Sequence, residues 1–274
     1  MLEWAVFFVL GLIASTFGIM VGTGGGIILV PILLVFSNLE PELIAGTALA
    51  LVAINSIGSS VSYLRMGYVD RRSGLMFAVA AIPGAVVAPF IVASVPDNLF
   101  RLLFAFLLLS LAFQLIVKPT FKGQLGHSHR FPWMITSREF TSNANETFKY
   151  KFNEPIAVFL NGFIGFIAAF FGTGGGFIRT PLLVGIFKFP VHVAVATSVF
   201  ALTIYATPGA IVHGFLGHIS WFPILIFTGA GMLIGGQIGT RLARKLHSKW
   251  IERFLVFLLV IAGIRVLIEG IVAA

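Results

Sequence analysis

The segment Gly22-Thr23-Gly24-Gly25-Gly26 recurs unchanged 150 positions later as Gly172-Thr173-Gly174-Gly175-Gly176, and each copy interrupts a long apolar run. The same offset carries Pro31 onto Pro181, Thr47 onto Thr197 and Gly67 onto Gly217. Further along, the register drifts slightly and brings Leu102–Leu109 near Phe254–Val260. Identical consecutive residues with further matches in register mark an internal duplication, so the fold is one unit built twice.

The unit belongs in a membrane. Charged residues make up 10% of the chain and hydrophobic ones 58%, at a mean hydropathy of +1.02. A water-soluble domain carries about 25% charged residues, so this chain cannot cover itself with polar surface. Apolar runs long enough to cross a bilayer as helices recur along nearly its whole length. Leu102–Val117 and Phe254–Ile264 are apolar on every face, whereas a β-barrel would alternate apolar and polar residues. The N-terminal run Trp4–Val21 shows no small-residue cleavage signal and reads as a retained helix. The expected class is an all-α integral membrane protein.

Each copy parses alike. A long helix (about 4–21; about 155–171) enters the glycine-rich break, and a short helix (27–37; 177–187) leaves it. Three spans follow: 43–64, 73–94 and 98–117 in the first copy, 192–213, 221–243 and 250–270 in the second. The repeats occupy 1–117 and 155–274, joined by a basic linker, 118–154, expected as a loop with a short surface helix.

The net charge of +8 is distributed as an orientation signal and not as a nucleic-acid surface. Arg65, Arg71 and Arg72, the linker's Lys118, Lys122, Arg130, Arg138, Lys149 and Lys151, and Arg241, Arg244, Lys245 and Lys249 all read as cytoplasmic. Glu40–Glu42 and Val95–Asp97 read as external. These assignments agree only when the two helices around each break form a hairpin returning to its starting side. The copies then have opposite orientation, as inverted repeats do in many secondary transporters, and both termini lie outside.

Successive glycines reach dihedrals closed to other residues and let a ligand approach the backbone. Non-helical backbone at membrane depth must be buried in protein or line a cavity. The helix after each break opens with unpaired N–H groups and the positive end of its dipole, a combination that attracts anions. Gly24, Gly25, Gly26, Gly174, Gly175 and Gly176 are therefore candidate substrate contacts, with Thr23 and Thr173 as hydroxyl donors or N-caps. Arg179 stands in the second short helix where the first has Leu29. An intramembrane Arg is expensive, and its planar fork suits oxyanions. Asn55 and Tyr205 occupy matching positions in unusually polar spans and complete the candidate set. Such groups bind an anion without changing protonation state.

His213 and His218 could carry a coupling proton, although an interfacial position without such a role is the favoured reading. Gln237 and Thr240, among Gly235, Gly236 and Gly239, fit close helix packing as well as substrate contact. His127 and His129 lack the further ligands a metal site needs. The absence of Cys excludes disulfides and thiolate sites. No catalytic triad, carboxylate pair or metal cluster converges in the apolar segments, so neither an enzyme nor a cofactor is expected.

At Gly22–Gly26 with Pro31, Gly172–Gly176 with Pro181, Ala45-Gly46-Thr47 and Val195-Ala196-Thr197, the chain resembles the TauE/SafE family of sulfite and organosulfonate exporters. The likeness covers all but the linker. It implies a secondary transporter of the inner membrane, commonly an exporter, that moves sulfite, sulfoacetate or another small anion by alternating access. An anion-selective channel, a carrier of non-sulfur carboxylates and a membrane scaffold are the alternatives. The partners implied are that anion and the lipid bilayer, with a homodimer as a compatible assembly and no nucleic acid.

Overall fold

The structure, a computed structural model, describes residues 2–37, 39–117, 135–143, 145–243 and 248–272. In the first unit α1 (Leu2–Val21) and the short α2 (Gly26–Phe36) flank the break. They are followed by α3 (Pro41–Met66), α4 (Arg71–Val92) and α5 (Asp97–Val117). The second unit repeats the order with α6 (Glu154–Phe170), the short α7 (Gly176–Gly185), α8 (Val191–Phe215), α9 (Ile226–Leu242) and α10 (Ser248–Val272). A π-helical turn, Trp221–Leu225, leads into α9. Six helices are long and apolar enough to cross a membrane among the described residues, and the protein is a multi-pass membrane protein.

Local chemistry sets several of the boundaries. The Asp70 carboxylate accepts from Ser73 N at 3.0 Å and opens α4, while Asn153 Oδ1 accepts from Ile156 N at 3.2 Å and opens α6. Pro41 stands in the first turn of α3, where its missing N–H costs nothing. Gly67, at φ +76°, closes the same helix in the left-handed region.

The helices pair by exchange between units. α1 packs along α9 and α6 along α4, so the first helix of each unit lies on the fourth helix of the other. α3 packs on α8, and α5 on α10. The Ser220 N–H donates to Thr47 Oγ1 (2.8 Å), and the Asp70 N–H to Thr197 Oγ1 (3.0 Å). The start of α3 thus meets the end of α8, and the start of α8 meets the end of α3. Without a large hydrophobic gain in lipid, such pairs depend on close backbone approach. A Cβ on Gly231 would lie 2.0 Å from Phe8 O, and one on Gly165 would lie 2.2 Å from Ala81 O.

The described end of the linker, from residue 135 on, is a hairpin in place of the expected loop with a surface helix. Strands β1 (Ile135–Thr141) and β2 (Thr147–Asn153) form an antiparallel hairpin with Arg138 opposite Tyr150. The reason lies in Phe148-Lys149-Tyr150-Lys151-Phe152, whose aromatic–basic alternation has the two-residue period of a strand with one buried face. Tyr150 and Phe152 pack among Phe77, Phe187 and Phe189. The Tyr150 hydroxyl donates to Asp70 Oδ2 at 2.7 Å, and Arg138 pairs with Asp70 and Glu154. The hairpin therefore ties the α3–α4 turn to the second unit. The expectations for residues 118–134, including His127 and His129, and for Arg244 and Lys245 lie outside the described residues.

Candidate functional site

The two breaks have the same backbone. Gly22, Gly24 and Gly25 have φ values of +84°, +76° and +96°, and Gly172, Gly174 and Gly175 have +70°, +82° and +69°. Left-handed conformation costs other residues about 1–2 kcal/mol each, which explains glycine at these positions. Gly25 and Gly175 are the N-caps of α2 and α7, and neither helix start receives a side-chain cap. Pro31 and Pro181 lie inside the short helices. The breaks also touch one another: a Cβ on Gly26 would lie 2.7 Å from Thr173 O, and one on Gly176 would lie 1.9 Å from Gly22 O.

Asn55 and Tyr205 perform the same task in their own units. Asn55 Nδ2 donates to Gly24 O at 2.8 Å, and the Tyr205 hydroxyl donates to Gly174 O. Each ties the middle of a spanning helix to the carbonyl that its break turns inward. Between these braces the space is filled. Val52 Cγ1 would lie 2.9 Å from a Cβ on Gly24 and 2.6 Å from one on Gly174, and Leu202 lies comparably close to both. Val52 and Leu202 are fully buried and stand at matching positions of the two units. This conformation is therefore closed by an apolar pair where the breaks face each other, and the polar groups divide into two clusters.

The first cluster is neutral and its bonds close on themselves. Asn55 Oδ1 accepts from Ser15 Oγ at 2.9 Å and from Ser59 Oγ at 3.4 Å, and Ser15 also reaches Met232 O at 2.7 Å. Gly236 covers it, since a Cβ there would lie 2.2 Å from Asn55 Oδ1. Thr23 does not cap α2; its hydroxyl donates to Gly18 O at 3.1 Å and accepts from Gly25 N at 3.4 Å.

The second cluster is cationic and incomplete. Arg179 is 0% exposed. Its Nε donates to Asn161 Oδ1, and its Nη1 to Tyr205 OH at 3.3 Å and Ser198 O at 3.5 Å. The guanidinium lies 4.7 Å from the centroid of the Tyr205 ring. Among the described residues no carboxylate pairs with it. Arg179 Nη2 is buried without a hydrogen-bond partner, and so are the hydroxyls of Thr173 and Thr180. A buried charge normally requires a partner and satisfied donors, so the second cluster keeps unused hydrogen-bond donors around its charge.

Asn161, Thr180 and Ser15 escaped the sequence reading. Asn161 was the most visible, as the one amide in the apolar helix α6. Gln237 and Thr240 serve packing: Gln237 Nε2 donates to Gly58 O at 3.0 Å and its Oε1 accepts from Ser62 Oγ at 2.8 Å, while Thr240 bonds Gln237 O. Two cavities, of about 440 and 420 Å³, are lined mainly by apolar side chains, with Thr207 in one and Arg265 in the other, and neither Asn55, Arg179 nor Tyr205 borders them.

Comparison with known proteins points to membrane transporters. The family model described as sulfite exporter TauE/SafE matches residues 7–266. YunE of Bacillus subtilis, named a probable membrane transporter protein, is 28% identical over 98% of this chain and 99% of its own. The probable membrane transporter protein ORF9 of a Sinorhizobium species is 27% identical over 96% of this chain and 90% of its own. A probable membrane transporter protein of Methanocaldococcus jannaschii is 24% identical over 95% and 92%. No solved structure matches the chain. The chain belongs to the TauE/SafE family of membrane transporters.

Proposed function

We propose that this protein is a secondary carrier that exports a small sulfur oxyanion, of the sulfite or organosulfonate class, by alternating access. The substrate lies at the second break, against Arg179 Nη2, the Thr173 hydroxyl and the uncapped start of α7 at Gly174–Gly176. Asn55 and Tyr205 hold the break carbonyls, and the first break, Gly24–Gly26, braces the second by backbone contact. The observation that carries the reading is the fully buried Arg179, without a carboxylate among the described residues and with one amino group unpaired. The family description supports sulfite and the outward direction.

The exchange of contacts between units supports an inverted repeat. The charge of the short loops supports a cytoplasmic linker with both termini outside. A carrier must occlude its substrate path, and Val52 with Leu202 between the breaks fits an occluded carrier better than an open channel.

The test is ligand-dependent thermal stability of the purified protein with sulfite, sulfoacetate, taurine, sulfate and simple carboxylates. A true ligand at 100 times its Kd stabilises the fold by about 2.7 kcal/mol. Arg179→Lys keeps the charge but loses the fork, and affinity should fall about 10- to 100-fold, as expected for a charge-assisted hydrogen bond worth about 1.5–3 kcal/mol. Unchanged affinity in both Arg179→Lys and Arg179→Ala would refute the assignment.

A further inference from the structure

At the far end of α8, the exchange between units contains one chemical substitution. In the first unit the Tyr63 hydroxyl donates to Ile19 O at 3.2 Å, three residues before the first glycine of its break. In the second unit the matching position is His213, whose Nε2 lies 3.3 Å from Ala169 O, again three residues before the first glycine. Tyr68 likewise becomes His218. His213 Nδ1 and His218 Nδ1 are 3.2 Å apart, and both residues are buried. Two phenols of the first unit correspond to a pair of imidazoles in the second.

The hydrogen bonds dictate the tautomers. Ala169 O only accepts, so His213 carries its proton on Nε2 and its Nδ1 bears a lone pair. His218 must then carry its proton on Nδ1 and donate it to His213. The remaining basic atom of the pair is His218 Nε2, which forms no hydrogen bond within the described residues. A proton taken there converts His218 to imidazolium and leaves both existing bonds intact. A second would set N–H against N–H and break the contact between the rings.

We propose that His213 and His218 form a one-proton site that latches this end of the molecule. The proposal rests on the carrier reading above. His213 holds α8 to the last turn of α6. The His218 carbonyl presses on α3, lying 2.0 Å from where a Cβ on Gly46 would stand, and two residues later Ser220 N bonds Thr47. The neutral pair is readily buried and keeps the end closed; the singly charged pair must reach water, so proton uptake opens it.

The charged groups around the pair are few. On α3 the nearest along the chain is Glu42, one turn before Gly46. On α5, packed on the end of α6 through Phe100 and Phe104, Arg101 pairs with both Asp97 and Glu269 of α10. α6 brings only its backbone, and neither ring forms an ion pair with a described carboxylate. Burial also holds His218 below the ordinary imidazole value.

The experiment is a nitrogen-15 NMR titration of histidine-labelled full-length protein in nanodiscs, paired with exchange of labelled sulfoacetate in proteoliposomes. Sulfoacetate keeps its charge from roughly pH 8 to 6. The expected titration places the first proton on His218 while His213 stays neutral. The expected exchange rises with acidity on this face, towards about tenfold per pH unit, the limit for a one-proton equilibrium. The double variant His213→Tyr, His218→Tyr writes in the first unit's residues and should exchange at a rate independent of pH. His218→Asn provides the same test should that variant fail to fold. Protonation of His213 first, no proton on either ring down to roughly pH 4.5, or pH-dependent exchange surviving in folded variants would overturn the proposal. Should the wild type bind and move none of the anions, the carrier reading falls, and the titration alone still decides whether the proton site exists.

Discussion

The two glycine-rich breaks share a sequence and a backbone, yet only the second leaves polar groups unpaired. In the first, Ser15, Asn55, Ser59 and Thr23 satisfy one another and the backbone, and Leu29 faces apolar surroundings. In the second, Arg179 brings a charge where Leu29 stands, Asn161 and Tyr205 orient it, and Thr173 and Thr180 keep unpartnered hydroxyls. Duplication supplied two equivalent frames, and divergence made one of them a brace and the other a candidate binding site. The same division holds at the helix ends, where His213 of the second unit takes the place that Tyr63 holds in the first.

The largest effect tests the shared frame. Gly176→Ala forces a Cβ onto Gly22 O, and Gly26→Ala forces one onto Thr173 O. Overpacking against immovable backbone costs about 1–3 kcal/mol or more. Both variants should lower Tm, Gly176→Ala further because its contact is shorter. A Tm unchanged in either variant would mean that the breaks are not in contact.

Next comes the swap of the divergent residue. Arg179→Leu writes the first break into the second; ligand stabilisation should vanish, while the ligand-free protein holds or gains stability, since apolar replacement of a buried charge is often neutral or favourable by about 1–4 kcal/mol. Leu29→Arg should destabilise the protein without creating a second site, because no acceptor cluster awaits it. Anion binding gained by Leu29→Arg would erase the distinction between the breaks.

The braces separate the two roles more finely. Asn55→Ala and Tyr205→Phe each lose a bond to a break carbonyl, leaving it unpaired at about 1–3 kcal/mol. Both should lower Tm, but only Tyr205→Phe should also weaken anion binding, because its hydroxyl accepts from Arg179. Equal effects on binding would show that the first break contacts the substrate as well.

The smallest effect concerns the paired threonines. Thr23→Val removes a satisfied hydroxyl and should cost about 1 kcal/mol. Thr173→Val removes an unpartnered one, so ligand-free stability should hold or rise slightly while anion affinity drops a few-fold. Thermal shifts with and without anion distinguish the pair.

Much of this was legible before any coordinates. Helix boundaries followed from apolar runs of bilayer length, and the breaks from repeated glycine. Arg179 stood out because a cation in an apolar run needs a reason. Asn161 was harder to see: a lone amide in α6 gains meaning only when α6 and α7 fold back and bring it to Arg179. The hairpin was missed because two seven-residue strands in a basic linker carry a weak signal beside twenty-residue apolar helices.

Composition and the duplication determined the membrane class, the helix count per unit and the two interruptions, since these follow from length, hydropathy and backbone freedom within short windows of chain. Only the tertiary structure decided that Val52 and Leu202 close the space between the breaks, that Asn55 and Tyr205 brace carbonyls, and that Arg179 stays partly unpaired. Hydrogen-bond satisfaction depends on which groups meet across helices far apart in the chain, and no local pattern encodes that meeting.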